Sequence, residues 1–158
     1  MPEFDSKEPY VKQLILYFQN GSYQKALSLS KDFVKKFPKD SMPHFFLARS
    51  AFWLNDFSTA TNESLKAFNL SEGDDEMAVA GILLACSYFR LKEYQQGKEV
   101  LALLRTKLPQ KEELQKLKFI FSLALNDEAA AMRHLEMLYS INRKAASEFI
   151  VQFLEKYV

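Results

Sequence analysis

The chain of 158 residues has few of the residues on which most catalytic and metal sites depend. It contains one cysteine, Cys86, and two histidines, His44 and His134. A single cysteine excludes an intramolecular disulfide and leaves a zinc site short of its usual ligands. The four glycines are isolated from one another, so the sequence has no glycine-rich loop that could cradle a phosphate. We therefore expect no catalytic residues, no metal site and no cofactor.

The sequence also lacks an excess of either charge and any long apolar run. Its 21 lysines and arginines balance 20 acidic residues, which gives a formal net charge of +1. Proteins that bind nucleic acids or anionic membranes electrostatically carry clustered Lys and Arg. The polar start shows no signal-peptide pattern, and no apolar segment reaches membrane length. These absences predict no nucleic-acid partner, no membrane insertion and a cytoplasmic location, with the nucleus as the alternative.

The residues that are abundant favour helices. Leu and Ala are frequent, whereas Val, Ile and Thr, which favour strands, are sparse. Apolar residues recur at three- and four-residue spacing, and short polar breaks separate the segments. Asp40, Asp56 and Asp127 stand at such breaks and suit helix N-caps. The pattern predicts an all-α fold of about nine helices of ordinary length.

The helical pattern repeats along the chain. Tyr23 and Ala26 match Phe57 and Ala60 at a shift of 34 residues. Later matches at shifts of 37 and 34 pair Leu47, Ala48 and Phe52 with Leu84, Ala85 and Phe89, and Gly97, Leu101 and Leu104 with Ala131, Leu135 and Leu138. A fixed period of this length is typical of repeat proteins built from helix pairs.

Three segments resemble the tetratricopeptide repeat (TPR) family at its turn into the second helix. They are Gly-Ser-Tyr-Gln-Lys-Ala-Leu (21–27), Asn-Asp-Phe-Ser-Thr-Ala (55–60) and Lys-Glu-Tyr-Gln-Gln-Gly (92–97). The resemblance implies a right-handed α-solenoid of helix-turn-helix repeats, in a single domain over residues 7–158. About four repeats are expected, near 7–40, 41–77, 78–111 and 112–145, with a capping helix over 143–158. Residues 1–6 are expected to be a disordered arm or a remnant of cloning.

The close helix packing of this family has counterparts in the sequence. Small residues stand where paired helices are expected to approach closely, namely Ala48 and Ala85 in first helices and Ala26, Ala60, Gly97 and Ala131 in second helices. Phe119 departs from the pattern, because a small residue is usual at its position. Pro38 and Pro109 are expected to end second helices, as the closing proline of the family does.

In the TPR family the first helix of each repeat lines a concave groove that binds extended peptides or helices. The corresponding residues here are Val11, Ile15 and Phe18; Met42, Phe45, Arg49, Phe52 and Trp53; Val79, Ile82, Cys86, Phe89 and Arg90; and Lys116 and Ile120. They predict an apolar, aromatic groove with Arg49 and Arg90 as its central cations. Trp53 is expected beside Arg49 and Phe52 on the inner face.

This composition predicts a protein-protein interaction module, either an adaptor, a chaperone or a scaffold, that binds an apolar or amphipathic helical segment without catalysis. Family members that hold the C-terminal carboxylate of heat-shock chaperones use Lys, Asn and Arg in the groove. The corresponding positions here carry the apolar residues Val11, Ile15, Phe46, Val79 and Leu83. We therefore expect that carboxylate motif not to be a partner.

Other interpretations stay open at this point. The capping helix or the N-terminal arm could cover the groove, and so could a second copy of the chain in a homodimer. The chain would then be the self-associating repeat domain of a larger assembly subunit. The contrasting class is an accessory domain of an enzyme whose catalytic part is absent.

Overall fold

The structure, a computed structural model, describes residues 5–107 and 112–157, and these form nine helices. The helices are α1 (Lys7–Gln19), α2 (Tyr23–Lys36), α3 (Ser41–Trp53), α4 (Phe57–Asn69), α5 (Asp74–Arg90), α6 (Tyr94–Lys107), α7 (Glu112–Ala124), α8 (Glu128–Ile141) and α9 (Arg143–Tyr157). The same residues contain no strand, so the predicted all-α class is confirmed. None of the described helices combines the length and the hydropathy that crossing a bilayer requires.

Four turns between paired helices each contain one residue with a left-handed backbone. Gly21, Asn55, Lys92 and Asn126 have φ angles of 69°, 63°, 61° and 59°. They are separated by 34, 37 and 34 residues, the same shifts at which the sequence repeats. A residue in this conformation is a common way to end a helix and redirect the chain. The four turns therefore occupy equivalent positions in the sequence repeat.

The chain divides into two compact units, Met1–Lys92 and Glu93–Val158. The first unit contains α1 to α5, and its buried cluster consists of Tyr10, Leu14, Ala26, Leu29, Phe33 and Phe46. At its centre Tyr10 of α1 stacks on Phe33 of α2, with 4.6 Å between the ring centroids. Burial of these two rings against each other joins the two helices of the first pair.

The small residues of the first unit lie where the repeat pattern predicts close packing. Ala26, Ala48, Ala60 and Ala85 are completely buried. They lie on α2, α3, α4 and α5, so each of these helices contributes one small side chain to the packed interior. A larger side chain at such a position would force the neighbouring helices to shift.

The second unit contains α6 to α9, and its helices α6 and α7 approach closely at Gly97. A Cβ atom built on this residue of α6 would overlap the Phe121 ring of α7. The departure at Phe119 is accommodated by α9, since its buried ring makes edge-on contacts with Phe149 at 5.6 Å and Phe153 at 5.3 Å. Aromatic side chains from α9 thus fill the space around a bulky residue of α7.

The predicted helix boundaries agree with the structure in most places. Asp56 and Asp127 are N-caps whose carboxylates accept hydrogen bonds from the backbone N–H groups of Thr59 and Ala130. Asp40 also stands at an N-cap, but its side chain makes no capping hydrogen bond. Helix α2 ends at Lys36, just before Pro38. Pro109, the second predicted helix end, lies outside the described residues, as do residues 1–4 of the predicted arm.

Candidate interaction surface

The predicted groove residues of the first unit lie on α1, α3 and α5, and none of them is fully buried. Ile15, Met42, Trp53 and Val79 are 43%, 38%, 52% and 49% exposed. Arg90 is also exposed, and the remaining ones are half-buried, namely Val11, Phe18, Phe45, Arg49, Phe52, Ile82, Cys86 and Phe89. Lys116 and Ile120, also half-buried, lie on α7 in the second unit and are described only there.

An apolar depression lies between the N-terminal halves of α3 and α5. It has a volume of about 110 Å³ and is lined by Ser41, Met42, Phe45, Phe46, Glu76 and Val79. We call these six residues the apolar shelf. Met42 and Val79 are its two exposed apolar side chains, whereas Phe46 belongs to the buried core. The shelf thus has a buried floor and an accessible apolar rim.

Acidic side chains adjoin the apolar shelf. A neighbouring cavity of about 90 Å³ is lined by Lys7, Asp40, Ser41, Met42, Leu70, Glu72 and Glu76, so the two share Ser41, Met42 and Glu76. Lys7 donates to Asp40 at 2.9 Å, and this hydrogen bond raises the pKa of Lys7, helped by the charges of Asp40, Glu72 and Glu76. One ammonium therefore faces three carboxylates, which leaves this edge of the shelf electronegative.

The C-terminal ends of α3 and α5 carry cations on aromatic rings. The Arg49 guanidinium lies 4.3 Å from the centroid of the Phe18 ring. Arg90 lies 4.5 Å from the Phe57 ring and 6.0 Å from the Phe52 ring. Neither arginine forms a salt bridge with a described residue. A guanidinium that stacks by its face can still donate from the N–H groups in its plane.

Helices α3 and α5 run in the same direction. Met42 and Glu76, near their N-terminal ends, share the apolar shelf, and Phe52 and Arg90 meet at their C-terminal ends. The acidic edge and the arginines therefore lie at opposite ends of the two helices. At 1.5 Å per helical residue, Glu76 and Arg90 are about 21 Å apart along α5.

Some predicted groove residues have a packing role as well. Val11, Phe18 and Phe45 pack against the buried cluster of the first unit. Phe18 also stacks on Phe46 at 6.0 Å. The Trp53 ring stacks on Tyr23 of α2 at 5.5 Å, so this side chain leans towards the second helix of the preceding pair. Its neighbour Phe52 contacts it edge-on at 6.2 Å.

The Cys86 thiol and the His44 imidazole, the side chains best suited to catalysis, lie in surroundings that limit their reactivity. Burial raises the pKa of the Cys86 thiol to about 11, so the thiolate needed for nucleophilic attack is scarce at neutral pH. Both ring nitrogens of His44 are hydrogen-bonded, one to Glu63 and one to the carbonyl oxygen of Pro38, each at 2.7 Å. Among the described residues, no group of three His, Cys, Asp or Glu side chains could hold a metal ion.

Ser41, Glu72 and Glu76 line or border the candidate surface, but reasoning from the sequence did not include them in the groove. Glu76 lies three residues before Val79 on α5, so helical spacing could have placed it on the same face. Glu72 precedes that helix, and only the folded chain brings it next to Lys7 and Asp40.

Comparisons with known proteins identify the fold. No protein-family model and no curated protein sequence matches the chain. Solved structures do match. The TPR protein TTC0263 of Thermus thermophilus superposes with a TM-score of 0.74 at 16% identity, covering 94% of this chain and 83% of that one. MamA from Desulfovibrio magneticus gives a TM-score of 0.77 at 14% identity, covering 98% and 96%.

A third match is a chain of the APC/C hetero-tetramer Cut9-Hcn1, with a TM-score of 0.78 at 20% identity. The match covers 91% of this chain but only 29% of that one. Identities this low indicate a shared fold and no more. The chain therefore has the tetratricopeptide-repeat fold that its sequence predicts.

Proposed function

We propose that the chain is a protein-interaction module whose first unit binds an amphipathic helical segment of another protein. The observation that carries this proposal is the pair of exposed apolar side chains, Met42 and Val79, at the rim of the apolar shelf. Apolar side chains of a helix, spaced three or four residues apart, would fill such a depression. A cytoplasmic adaptor, chaperone or scaffold would use a surface of this kind.

The charges around the shelf favour a bound segment that carries both basic and acidic residues. Glu72 and Glu76 would attract a lysine or arginine at one end of the bound segment. Arg49 and Arg90 would attract acidic residues at the other end, because neither arginine forms a salt bridge with a described residue. Complementary charges would fix the orientation of the segment more than they would add affinity.

A selection experiment tests the proposal without a known partner. A displayed library of amphipathic helices is selected for binding to the wild-type chain and to Val79→Glu. We expect the wild type to enrich sequences with apolar residues at i, i+3 and i+4, with a basic residue at the end near Glu76 and an acidic residue at the other end. Val79→Glu places a carboxylate on the shelf, so it should bind the enriched sequences at least about tenfold more weakly.

Two further variants make the result specific. Leu65 of α4 is 39% exposed, similar to Met42, so Leu65→Glu is a matched control that should bind like the wild type. Selection on Arg49→Glu should enrich a basic residue in place of the acidic one. Trp53 fluorescence gives an independent measure of affinity for each selected peptide.

The proposal is wrong if no sequence is enriched, or if Val79→Glu binds the enriched peptides as tightly as Leu65→Glu does. A second copy of the chain as the occupant would give a different result. Light scattering would then show a dimer that Val79→Glu dissociates, and added peptide would not bind until it does.

A further inference from the structure

The two parallel helices α3 and α5 carry opposite charges at their two ends. Glu72 and Glu76 line the cavity at the N-terminal ends, where Lys7 is already paired with Asp40 at 2.9 Å. That pair leaves the two glutamates as an excess of negative charge. Arg90, an exposed residue, lies about 21 Å farther along α5 than Glu76. A segment that extends along α5 from the apolar shelf therefore reaches positive charge about fourteen helical residues after the negative charge.

One face of α5 connects these two ends. Val79, Leu83 and Cys86 lie between Glu76 and Arg90 at helical spacing, and none of the three is fully buried. Val79 belongs to the apolar shelf, so the apolar surface continues from the shelf towards the C-terminal end of the helix. A bound helix of about four turns therefore contacts both charged ends.

The arginines at the positive end can bind a ligand. The Arg49 and Arg90 guanidinium groups lie 4.3 Å from the Phe18 ring centroid and 4.5 Å from the Phe57 ring centroid, respectively. Neither arginine forms a salt bridge with a described residue. Because Arg90 is exposed, its in-plane N–H groups can donate to a carboxylate or to the carbonyl oxygens that end a helix.

A bound helix has a polarity of its own. Its N-terminus carries roughly half a positive elementary charge and N–H groups without an internal partner, and its C-terminus carries the opposite charge and free carbonyl oxygens. The ends of α3 and α5 carry similar half charges, which favour an antiparallel neighbour. The side chains carry full charges, and two glutamates at one end and two arginines at the other outweigh those half charges. Electrostatics therefore favours a bound helix that runs parallel to α3 and α5.

We propose that the segment bound at the apolar shelf is a helix of about four turns that runs parallel to α3 and α5. Its N-terminus lies at Glu72 and Glu76, and its C-terminus lies at Arg90. This inference rests on the proposed function and adds polarity and length to it. The glutamates accept hydrogen bonds from the first N–H groups of the segment, and Arg90 donates to its last carbonyl oxygens. The partner therefore presents a short helix with both ends accessible, rather than the middle of a long helix.

Quenching of Trp53 fluorescence measures this polarity. Trp53 is the only tryptophan, and it lies at the C-terminal end of α3 with 52% of its surface exposed. The probe is a synthetic helix of about fourteen residues with leucines at i, i+3 and i+4, lysines in its first turn and glutamates in its last. Its termini are blocked, and a hydrocarbon staple makes it helical before it binds. We expect a nitroxide at its C-terminal end to quench Trp53, and the same nitroxide at its N-terminal end to leave the fluorescence nearly unchanged.

A second stapled probe has glutamates in its first turn and lysines in its last. In either direction this probe loses a favourable contact, because parallel binding separates the side-chain charge pairs and antiparallel binding brings each helix end to like charge. It should therefore bind the wild type at least about threefold more weakly than the first probe.

Exchange of the end charges in the chain supplies matched variants. In Glu76→Lys combined with Arg90→Glu, the preference for the first probe should be lost. Glu8→Lys combined with Lys12→Glu exchanges an exposed ion pair of α1 and should keep the preference. The inference is overturned if the nitroxide quenches at least as strongly from the N-terminal end, or if both probes bind the wild type equally. Binding that Val79→Glu weakens would then still support the proposed function, whereas binding of neither probe would overturn both.

Discussion

The Cys86 thiol shows how burial changes the chemistry of one residue. Its ordinary pKa of 9.0 is raised to about 11 because the folded chain withdraws the sulfur from water. The folded state therefore holds this proton more tightly than the unfolded state does. The resulting contribution to stability is fully present below the ordinary pKa and is lost as the pH rises towards the raised value.

This sign gives a prediction for alkaline pH. Between the two pKa values, the free energy of unfolding of the wild type should fall with pH more steeply than that of Cys86→Ser, which has no thiol to titrate. Urea unfolding of both proteins across that range measures the difference, and lysines and tyrosines affect both equally. Parallel slopes for the two proteins would contradict the raised pKa assigned to the Cys86 thiol.

At the scale of the helices, the packing of α6 on α7 depends on how closely the two helices approach each other. Gly97 of α6 leaves no space for a Cβ atom beside the Phe121 ring of α7. Tyr94, one turn earlier on α6, contacts the same ring edge-on at 6.4 Å. The two helices therefore meet on this face, and a Cβ atom added at Gly97 must displace the Phe121 ring.

Gly97→Ala should destabilise the protein by roughly 1–3 kcal/mol, because overpacking forces the helices apart. Helix propensity alone predicts the opposite sign, since Ala in a helix is favoured over Gly by about 1 kcal/mol. Urea unfolding decides between the two effects. Gln96→Ala, on the exposed neighbour, is the control and should leave the stability nearly unchanged. A gain in stability at Gly97 would show that α6 and α7 can move apart freely.

At the scale of the whole molecule, the repeat organisation makes stability local. Within each unit, the helices pack mainly on their neighbours in sequence. In repeat proteins the total stability is close to a sum of such nearest-neighbour contributions. The buried cluster around Tyr10 and Phe33 lies entirely in the first unit, whereas Gly97 and Phe121 lie in the second.

Hydrogen exchange of the full chain should reveal this locality. In Gly97→Ala, the amides of α6 and α7 should exchange faster than in the wild type. The amides of α2 and α3, around Phe33, should keep their protection. Equal acceleration in both units would mean that the chain unfolds as a single cooperative body.

Helical periodicity explains why some features of this fold are predictable from the sequence and others are not. The sequence by itself determined the all-α class, the repeat shifts and the positions of small residues such as Ala48 and Ala85. These features depend on neighbours along the chain, and helical spacing states which residues share a face. The caps at Asp56 and Asp127 are local for the same reason.

Only the tertiary structure decided which groups meet across helices. Trp53 stacks on Tyr23, Asp40 pairs with Lys7 instead of capping α3, and His44 pairs with Glu63 of α4. Helical periodicity gives the face on which a side chain stands but not the side chain that lies opposite it. That choice depends on the distance and the angle between successive helices. Bulky residues such as Phe119 and Phe121 set both.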